Sequence, residues 1–283
     1  MTRRKSLIVT FIVYLVSLVI GYFVYVLTKN SMSMLFSTLI ANICMTLIVF
    51  FVSVAIDNSS LYDPYWSVIP IFIVLLWAIE TDFNLVSVMA IIGVSIWGLR
   101  LTFNWFTDFE GFAHEDFRYV DFRKKFPRTY WLVSLMGIQM FPTLIVYLSL
   151  YPIYFTFINQ TNGFLIPIIG TLVMILGATI SFYADKELRK HKRSSKSTSV
   201  STGLWKYSRH PNYFGELLFW FGCFVYSLSS GVDLFTPLGI IGMILLFNLY
   251  SVPKMEKKLL GNKEDYAGII EKTPRLFIRP IKK

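Results

Sequence analysis

The sequence predicts an all-α protein, a polytopic transmembrane helical bundle of seven to eight spans with both termini in the cytosol. Composition, long apolar runs and the distribution of basic residues lead to this prediction. Of the 283 residues, 55% are hydrophobic and only 16% are charged. The mean hydropathy is +0.57. Such a chain is too apolar for an ordinary soluble domain, and its composition excludes a disordered or collagen-like protein. Two cysteines, both inside apolar runs, exclude a disulfide scaffold.

Eight apolar segments approach the roughly 20 residues that a helix needs to cross the hydrocarbon core. They are residues 7–27, 34–56, 66–79, 85–106, 131–155, 164–183, 213–228 and 234–252. The segment 66–79 is short enough for a tilted or partly re-entrant helix, so we predict seven or eight spans. The first segment is interpreted as a retained helix, because no small-residue cleavage site follows it.

The basic residues predict the orientation of these spans. Of 27 Lys and Arg, all but Lys29 and Arg100 lie in residues 1–6, 107–129, 184–212 and 253–283. Four, two and two spans separate these segments in order, so all of them lie on one side, which the positive-inside rule makes cytosolic. The net charge of +10 is therefore explained by topology, and no nucleic-acid partner is expected. We divide the chain into an N-terminal two-helix segment, 1–60, and one integrated transmembrane domain, 61–283.

Residues 194–202 form a stretch rich in serine and threonine, and residues 186–193 before it are strongly basic. Together they predict a mobile cytosolic loop. One interpretation is a linker with topogenic charge. The other is a phosphate-binding loop, because Lys, Arg and hydroxyl groups donate to anionic cofactors. In the second interpretation Lys192 is a binding residue.

Three polar pairs lie near the cytosolic ends of predicted spans, with partners four positions apart, so that each pair occupies one helix face. The pairs are Arg100 with Asn104, Ser181 with Asp185, and Asn212 with Glu216. Glu216 stands beside aromatic residues within a span, where a carboxyl group is costly unless it is paired. We expect these groups to converge on a cavity just inside the membrane. The alternative is that they are ordinary polar helix ends whose side chains snorkel to water.

The segment 203–216 combines basic, aromatic and helix-starting residues. Pro211 suits the first position of a helix, so the backbone amides after it can meet an anionic or polar group. Arg209 and His210 add donors beside that helix start. The alternative is an interfacial aromatic belt with a capping turn. Its members would be Trp205, Tyr207 and Tyr213.

Five motifs, in order along residues 60–280, resemble those of the steroid 5-alpha-reductase-like family and its bacterial membrane branch. They are Asp-Pro-Tyr-Trp at 63–66, Trp-Gly-Leu-Arg-Leu-Thr-Phe-Asn at 97–104, Glu-Asp-Phe-Arg-Tyr at 115–119, Ala-Asp at 184–185 and Tyr-Ser-Arg-His-Pro-Asn-Tyr-Phe-Gly-Glu at 207–216. The resemblance implies a bundle of about seven helices in the bacterial inner membrane. It also implies NADPH as cofactor and reduction of a carbon–carbon double bond in a lipid-soluble, steroid- or isoprenoid-like substrate.

The same resemblance implies roles for individual residues. Asn212 and Glu216 would hold the nicotinamide end of NADPH. Asp185 with Ser181 would contact the cofactor, and Tyr207, Arg209 and the basic loop would face its phosphates. The other cofactor-binding candidates are Arg100, Asn104, Arg118, Tyr119, Lys192, His210, Tyr213 and Glu256.

Asp63 and Tyr65 are the candidate catalytic residues. Steroid reductases grip the substrate carbonyl with a tyrosine and a glutamate from earlier helices, and these two residues are the nearest acid and phenol. The resemblance does not extend to that pair itself. The alternative interpretation is a proline turn with interfacial aromatic residues.

Two other function classes remain open. Isoprenylcysteine-type membrane methyltransferases, which use S-adenosylmethionine, share the Arg-His-Pro-x-Tyr segment and a later pattern that resembles Glu256, Leu259, Gly261 and Tyr266. The motifs around Asp63, Arg100 and Glu115 favour the reductase branch. A non-enzymatic scaffold or channel is the third class. No metal is expected, because the three histidines are far apart and lack ligand spacing.

Overall fold

The computed structural model describes residues 1–159, 161, 163–194 and 197–277, and within these residues the regular structure is helical, as predicted. The helices are α1 (Arg3–Thr28), α2 (Met34–Ala55), α3 (Tyr65–Glu80), α4 (Leu85–Asp108), α5 (Phe117–Lys125), α6 (Tyr130–Val133), α7 (Phe141–Asn159), α8 (Leu165–Ser194), α9 (Pro211–Ser227), α10 (Leu238–Leu246), α11 (Val252–Asn262) and α12 (Tyr266–Lys272). Short 3-10 turns occur at Ser59–Tyr62 and Gly203–Lys206, and π-helical turns at Ser134–Met140 and Phe247–Ser251.

Seven helical stretches in the described chain are long and apolar enough to cross a membrane. They are Arg3–Thr28, Met34–Ala55, Ser59–Glu80, Leu85–Asp108, Tyr130–Asn159, Leu165–Ser194 and Leu238–Asn262. The predicted eighth span is α9, whose 17 residues reach the lower limit of about 17 for spanning helices. The prediction of a polytopic helical protein with seven to eight spans is confirmed, and the cytosolic position of the termini stays a prediction. The predicted short segment, residues 66–79, is part of a helical stretch of 22 residues, Ser59–Glu80, because a 3-10 turn precedes α3.

The chain divides into two compact units. The first consists of Met1–Phe83 and Leu101–Leu150, and the second of 84–100 together with 151 onward. The domain boundary predicted at residues 60 and 61 stays a prediction.

In the first unit, α1 packs on α2 through small and hydroxyl side chains. Gly21 is buried there, and a Cβ atom built on it would lie 2.5 Å from the Met45 sulfur. The opposite side of α1 exposes large apolar residues such as Phe11 and Phe23, at 68% and 62%. This distribution fits a helix that meets protein on one face and lipid on the other.

In the second unit, α8 and α9 approach closely along two pairs of glycines. A Cβ atom on Gly177 would lie 2.5 Å from the Gly215 carbonyl oxygen, and one on Gly170 would lie 3.0 Å from that of Gly222. Small residues let helix backbones pack at short distance. One turn beyond Gly177, the Ser181 hydroxyl donates to the backbone oxygen of Asn212 at 2.8 Å. The glycine spacing therefore positions the polar residues at this end of both helices.

The predicted mobile loop is wrong over residues 186–193, which continue α8 as helix. This segment contains neither Gly nor Pro, and Lys, Glu, Leu and Arg all favour helix. The loop after α8 is held in place by two hydrogen bonds to other parts of the second unit. The Ser199 amide donates to Asp265 at 2.8 Å, and the Trp205 indole donates to the Ala184 carbonyl at 3.0 Å. Ser195 and Lys196 of the predicted loop lie outside the described residues.

Candidate functional site

A buried ion network joins three helices of the second unit. Arg100 on α4 donates through Nη1 to Asp185 Oδ2 on α8 at 3.0 Å, and its Nη2 contacts the Glu216 carboxylate on α9. The side chains of Arg100 and Glu216 are only 6% and 7% exposed. Neither group is solvated, so Glu216 depends on Arg100 for compensation of its charge, while Arg100 is compensated by both Glu216 and Asp185. The structure thus brings together three residues that are scattered along the sequence.

Trp97 completes the environment of Glu216. Its indole Nε1 donates to Glu216 Oε2 at 2.7 Å, while Arg100 occupies the other carboxylate oxygen. The Trp97 ring stacks on Phe219 with 4.5 Å between centroids. Trp97 was not among the predicted site residues, although it lies three residues before Arg100. An indole N–H within one turn of a buried arginine is the signal that could have identified it.

Asn212 links the network to the start of α9. Its Nδ2 donates to Asp185 Oδ1 at 3.2 Å, and Pro211 is the first residue of the helix, as predicted. Two buried atoms of the network have no hydrogen-bond partner in the described chain: Asn212 Oδ1 and Arg100 Nε. Buried polar atoms usually have partners. An unsatisfied acceptor and an unsatisfied donor therefore stand beside the same Asp185 carboxylate.

Glu256 on α11 is the centre of a second cluster. Its Oε1 lies 3.3 Å from Arg209 Nη1 and 3.3 Å from His210 Nε2, and its Oε2 accepts from Arg275 Nη2 at 3.2 Å. His210 stacks on Tyr213 with 5.4 Å between centroids. Burial lowers the pKa of His210, and the hydrogen bond to Glu256 opposes that shift. Two guanidinium groups and an imidazole therefore share one carboxylate.

The C-terminal segment holds the residues just before α9. The Arg209 amide donates to the Pro274 carbonyl at 2.9 Å, and the Ser208 hydroxyl donates to the Leu276 carbonyl at 2.8 Å. Arg275 was not among the predicted residues, because nothing in its local sequence distinguishes it from the other basic residues near the C-terminus. Arg209 Nε is buried here without a hydrogen-bond partner in the described chain.

A basic cleft lies along the C-terminal extension of α8. Its volume is about 430 Å³, and its lining consists of Lys186, Arg189, Lys190, Arg193 and Ser194. Lys192, which we predicted as a binding residue, is not part of this lining. Tyr207 is 40% exposed, and its ring centroid is 5.9 Å from the Lys206 ammonium.

The first unit contains the remaining predicted residues, which have separate partners. The Tyr119 hydroxyl donates to Asp63 Oδ1 at 2.5 Å. Burial and the negative charge of Asp63 raise the pKa of Tyr119 well above its usual value. The Tyr65 hydroxyl donates to Asn42 Oδ1 at 3.0 Å and accepts from Thr46 at 3.2 Å. An acid–phenol pair is thus present, but it consists of Asp63 and Tyr119.

Three further observations concern Arg118, Asn104 and the possibility of a metal site. Arg118 pairs with Asp116 at 2.8 Å. Asn104 and Arg100 both lie on α4, four positions apart. Among the described residues there is no group of three or more His, Cys, Asp or Glu arranged to hold a metal ion.

Comparison with known families matches residues 49–273 to the family described as "Protein of unknown function (DUF1295)". The match covers most of the chain. The chain belongs to this family. This DUF1295 chain is also similar to uncharacterised protein C594.04c of Schizosaccharomyces pombe, with 26% identity in an alignment of 227 residues; the match covers 68% of this chain and 65% of that relative. The chain therefore covers slightly less than two thirds of the relative's length. No solved structure matches the chain.

Proposed function

We propose that this DUF1295 protein is an NADPH-dependent reductase of a carbon–carbon double bond in a lipid-soluble, steroid- or isoprenoid-like substrate, located in the bacterial inner membrane. The observation that carries the proposal is the buried network of Arg100, Asp185, Asn212 and Glu216 in the second unit. Residues that resemble cofactor-holding positions of the steroid 5-alpha-reductase-like family meet there. A purely structural network would be expected to satisfy all of its own polar atoms.

The unsatisfied atoms fit the amide of a nicotinamide ring. A carboxamide has an NH₂ group that needs an acceptor and a carbonyl oxygen that needs a donor. Asn212 Oδ1 is an unsatisfied acceptor and Arg100 Nε an unsatisfied donor, and both residues bond the Asp185 carboxylate. Asn212 and Arg100 would therefore hold the carboxamide, with Asp185 keeping both in position.

The surrounding side chains orient this site and exclude water. Trp97 and Arg100 occupy both oxygens of Glu216, which prevents the carboxylate from rotating. The stacked rings of Trp97 and Phe219 cover it with apolar surface. A dry, preorganised site strengthens the electrostatic interactions within it. NADPH, when bound, would supply a hydride for the double bond. In the first unit, Asp63 and Tyr65 stay the candidate catalytic residues, and we add Tyr119 because it donates to Asp63.

A methyltransferase that uses S-adenosylmethionine is the second candidate. The observation that favours it is the cluster around Glu256, because Arg209, His210 and Glu256 belong to the pattern shared with isoprenylcysteine-type enzymes. Arg209 Nε is unsatisfied there and could bind a ligand carboxylate. S-adenosylmethionine carries such a carboxylate.

Ligand-dependent thermal stability of the detergent-purified protein separates these functions. A ligand at about 100 times its dissociation constant stabilises a protein by roughly 2.7 kcal/mol. We expect NADPH to raise the melting temperature, and S-adenosylmethionine and S-adenosylhomocysteine to leave it unchanged. Stabilisation by the last two alone would establish the methyltransferase instead. No shift with any of these nucleotides would favour a scaffold.

Asn212→Ala tests whether the network is the binding site. We expect it to abolish the NADPH-induced shift while the unliganded protein still folds. Asn159→Ala is a matched control, because Asn159 is exposed and bonds only the Phe155 carbonyl in the described structure. An unchanged NADPH shift in Asn212→Ala would reject this site even if NADPH binds elsewhere.

A further inference from the structure

The basic cleft of the second unit lies on one face of the α8 extension. At 100° per residue, Lys186, Arg189, Lys190 and Arg193 fall within an arc of about 100° around the helix axis. They line a cleft of about 430 Å³ together with the hydroxyl of Ser194. The ammonium groups of Lys186 and Lys190 and the guanidinium of Arg193 have no carboxylate partner in the described chain. The cleft therefore holds three basic groups whose charge is not neutralised by a carboxylate of the described chain.

This face differs from the face of α8 that carries the ion network. Asp185 and Lys192 are seven residues apart and lie about 100° from the middle of the cleft. A third side of the extension packs against the loop after α8, where Glu187 accepts from the Leu204 amide at 3.0 Å. The middle of the cleft therefore lies about 100° around the helix axis from Asp185, while Arg189 at its edge is close enough to act on the Asp185 carboxylate.

The position of the cleft along the α8 axis determines its depth relative to the membrane. From Leu165, where α8 begins, Lys186 is about 32 Å along the axis and Arg193 about 42 Å. The hydrocarbon core is about 30 Å thick, and head groups occupy several ångströms beyond it. The four basic side chains therefore extend through the head-group layer of an untilted span.

We infer that this cleft binds the phosphate of an anionic membrane phospholipid. Lys and Arg at this depth attract anionic lipids, and guanidinium groups recognise phosphate oxygens by paired hydrogen bonds. The same phosphate chemistry is present in a dinucleotide, but the angle of about 100° between the middle of the cleft and Asp185 favours the lipid. The inference does not depend on the proposed reductase activity.

The test compares two quadruple variants of the full chain, each with four fewer positive charges. The cleft variant replaces Lys186, Arg189, Lys190 and Arg193 with Gln. The control variant replaces Lys257, Lys258, Lys263 and Lys272 with Gln. Native mass spectrometry counts lipids retained after titration with phosphatidylglycerol or phosphatidylcholine. We expect the cleft variant to bind phosphatidylglycerol at least tenfold more weakly than the wild type, and the control variant to stay within about twofold.

Each other outcome overturns the inference. Equal losses in both variants would show that bulk charge alone attracts the lipid. Unchanged binding in both would show that the cleft is not a lipid site. Loss of NADPH-induced stabilisation in the cleft variant, with normal lipid binding, would assign the phosphate to the dinucleotide. Lys186→Arg with Lys190→Arg keeps the charge and should keep lipid binding, which separates recognition from a folding defect.

Discussion

Arg100 and Glu216, which are 116 positions apart in the chain, form a buried ion pair in the second unit. Removal of one partner of a buried ion pair costs about 3–5 kcal/mol when the other charge is left uncompensated, but Arg100 also has Asp185 as a partner at 3.0 Å. We therefore expect Glu216→Gln to lower the stability of the purified protein by up to about that amount in thermal or denaturant unfolding.

The control for Glu216→Gln is Glu80→Gln in the first unit. Glu80 pairs with Lys29 at 2.9 Å, but the two side chains are 28% and 36% exposed. Partly solvated pairs contribute about 0–1 kcal/mol. Similar losses in the two variants would contradict the buried arrangement of Arg100 and Glu216.

Trp97→Phe should separate the indole hydrogen bond from the aromatic stacking. Phenylalanine keeps an apolar ring beside Phe219 but cannot donate to Glu216. Hydrogen bonds to charged groups contribute about 1.5–3 kcal/mol, so we expect a loss in that range. Trp105→Phe is the control, because Trp105 stacks on Phe109 with 4.4 Å between centroids. The assignment fails if Trp97→Phe costs no more than Trp105→Phe.

Gly177→Ala should force α8 and α9 apart. The added Cβ would lie 2.5 Å from the backbone of both Gly215 and Phe219, and neither backbone can yield alone. Overpacking costs about 1–3 kcal/mol, which we expect as a lower melting temperature. Gly268→Ala on α12 has no atom within 4 Å of the new Cβ and should be neutral or stabilising. A neutral Gly177→Ala would contradict the close helix contact.

His210 predicts a dependence of stability on pH. Because burial lowers its pKa in the folded protein, the unfolded chain binds a proton more readily than the folded chain. The contribution of neutral His210 to the free energy of unfolding is therefore complete above about pH 6.5, the pKa of histidine in the unfolded chain. This contribution is lost as the pH falls below that value. We expect the melting temperature to fall between pH 7 and pH 5.5, and His210→Asn to reduce that fall.

The matched variant for the pH experiment is His114→Asn. His114 is 72% exposed and lies 3.7 Å from Glu110. We expect the His114→Asn variant to keep the pH dependence of the melting temperature that the wild type shows. An equal effect of both variants would show that His210 has no special part in the acid response.

Much of the fold could be predicted because membrane spans depend on the local sequence. A run of about 20 apolar residues must satisfy its backbone hydrogen bonds internally in lipid, so helix formation follows from composition. The same local reasoning failed for residues 186–193. Their charge indicated a loop, whereas their helix propensity and continuity with α8 extend the helix.

The sequence by itself determined the class of protein, the helices and the polar pairs that share a helix face, such as Asn212 with Glu216. Only the tertiary structure decided which groups meet. It joined Arg100 to Asp185 and Glu216, added Trp97, and gave Asp63 the hydroxyl of Tyr119 in place of Tyr65. The physical reason is that periodicity specifies a direction around one helix axis, whereas the partner across the interface depends on how closely two helices pack. Glycines 177 and 215 control that distance for α8 and α9, and no local pattern shows which helix will lie against them.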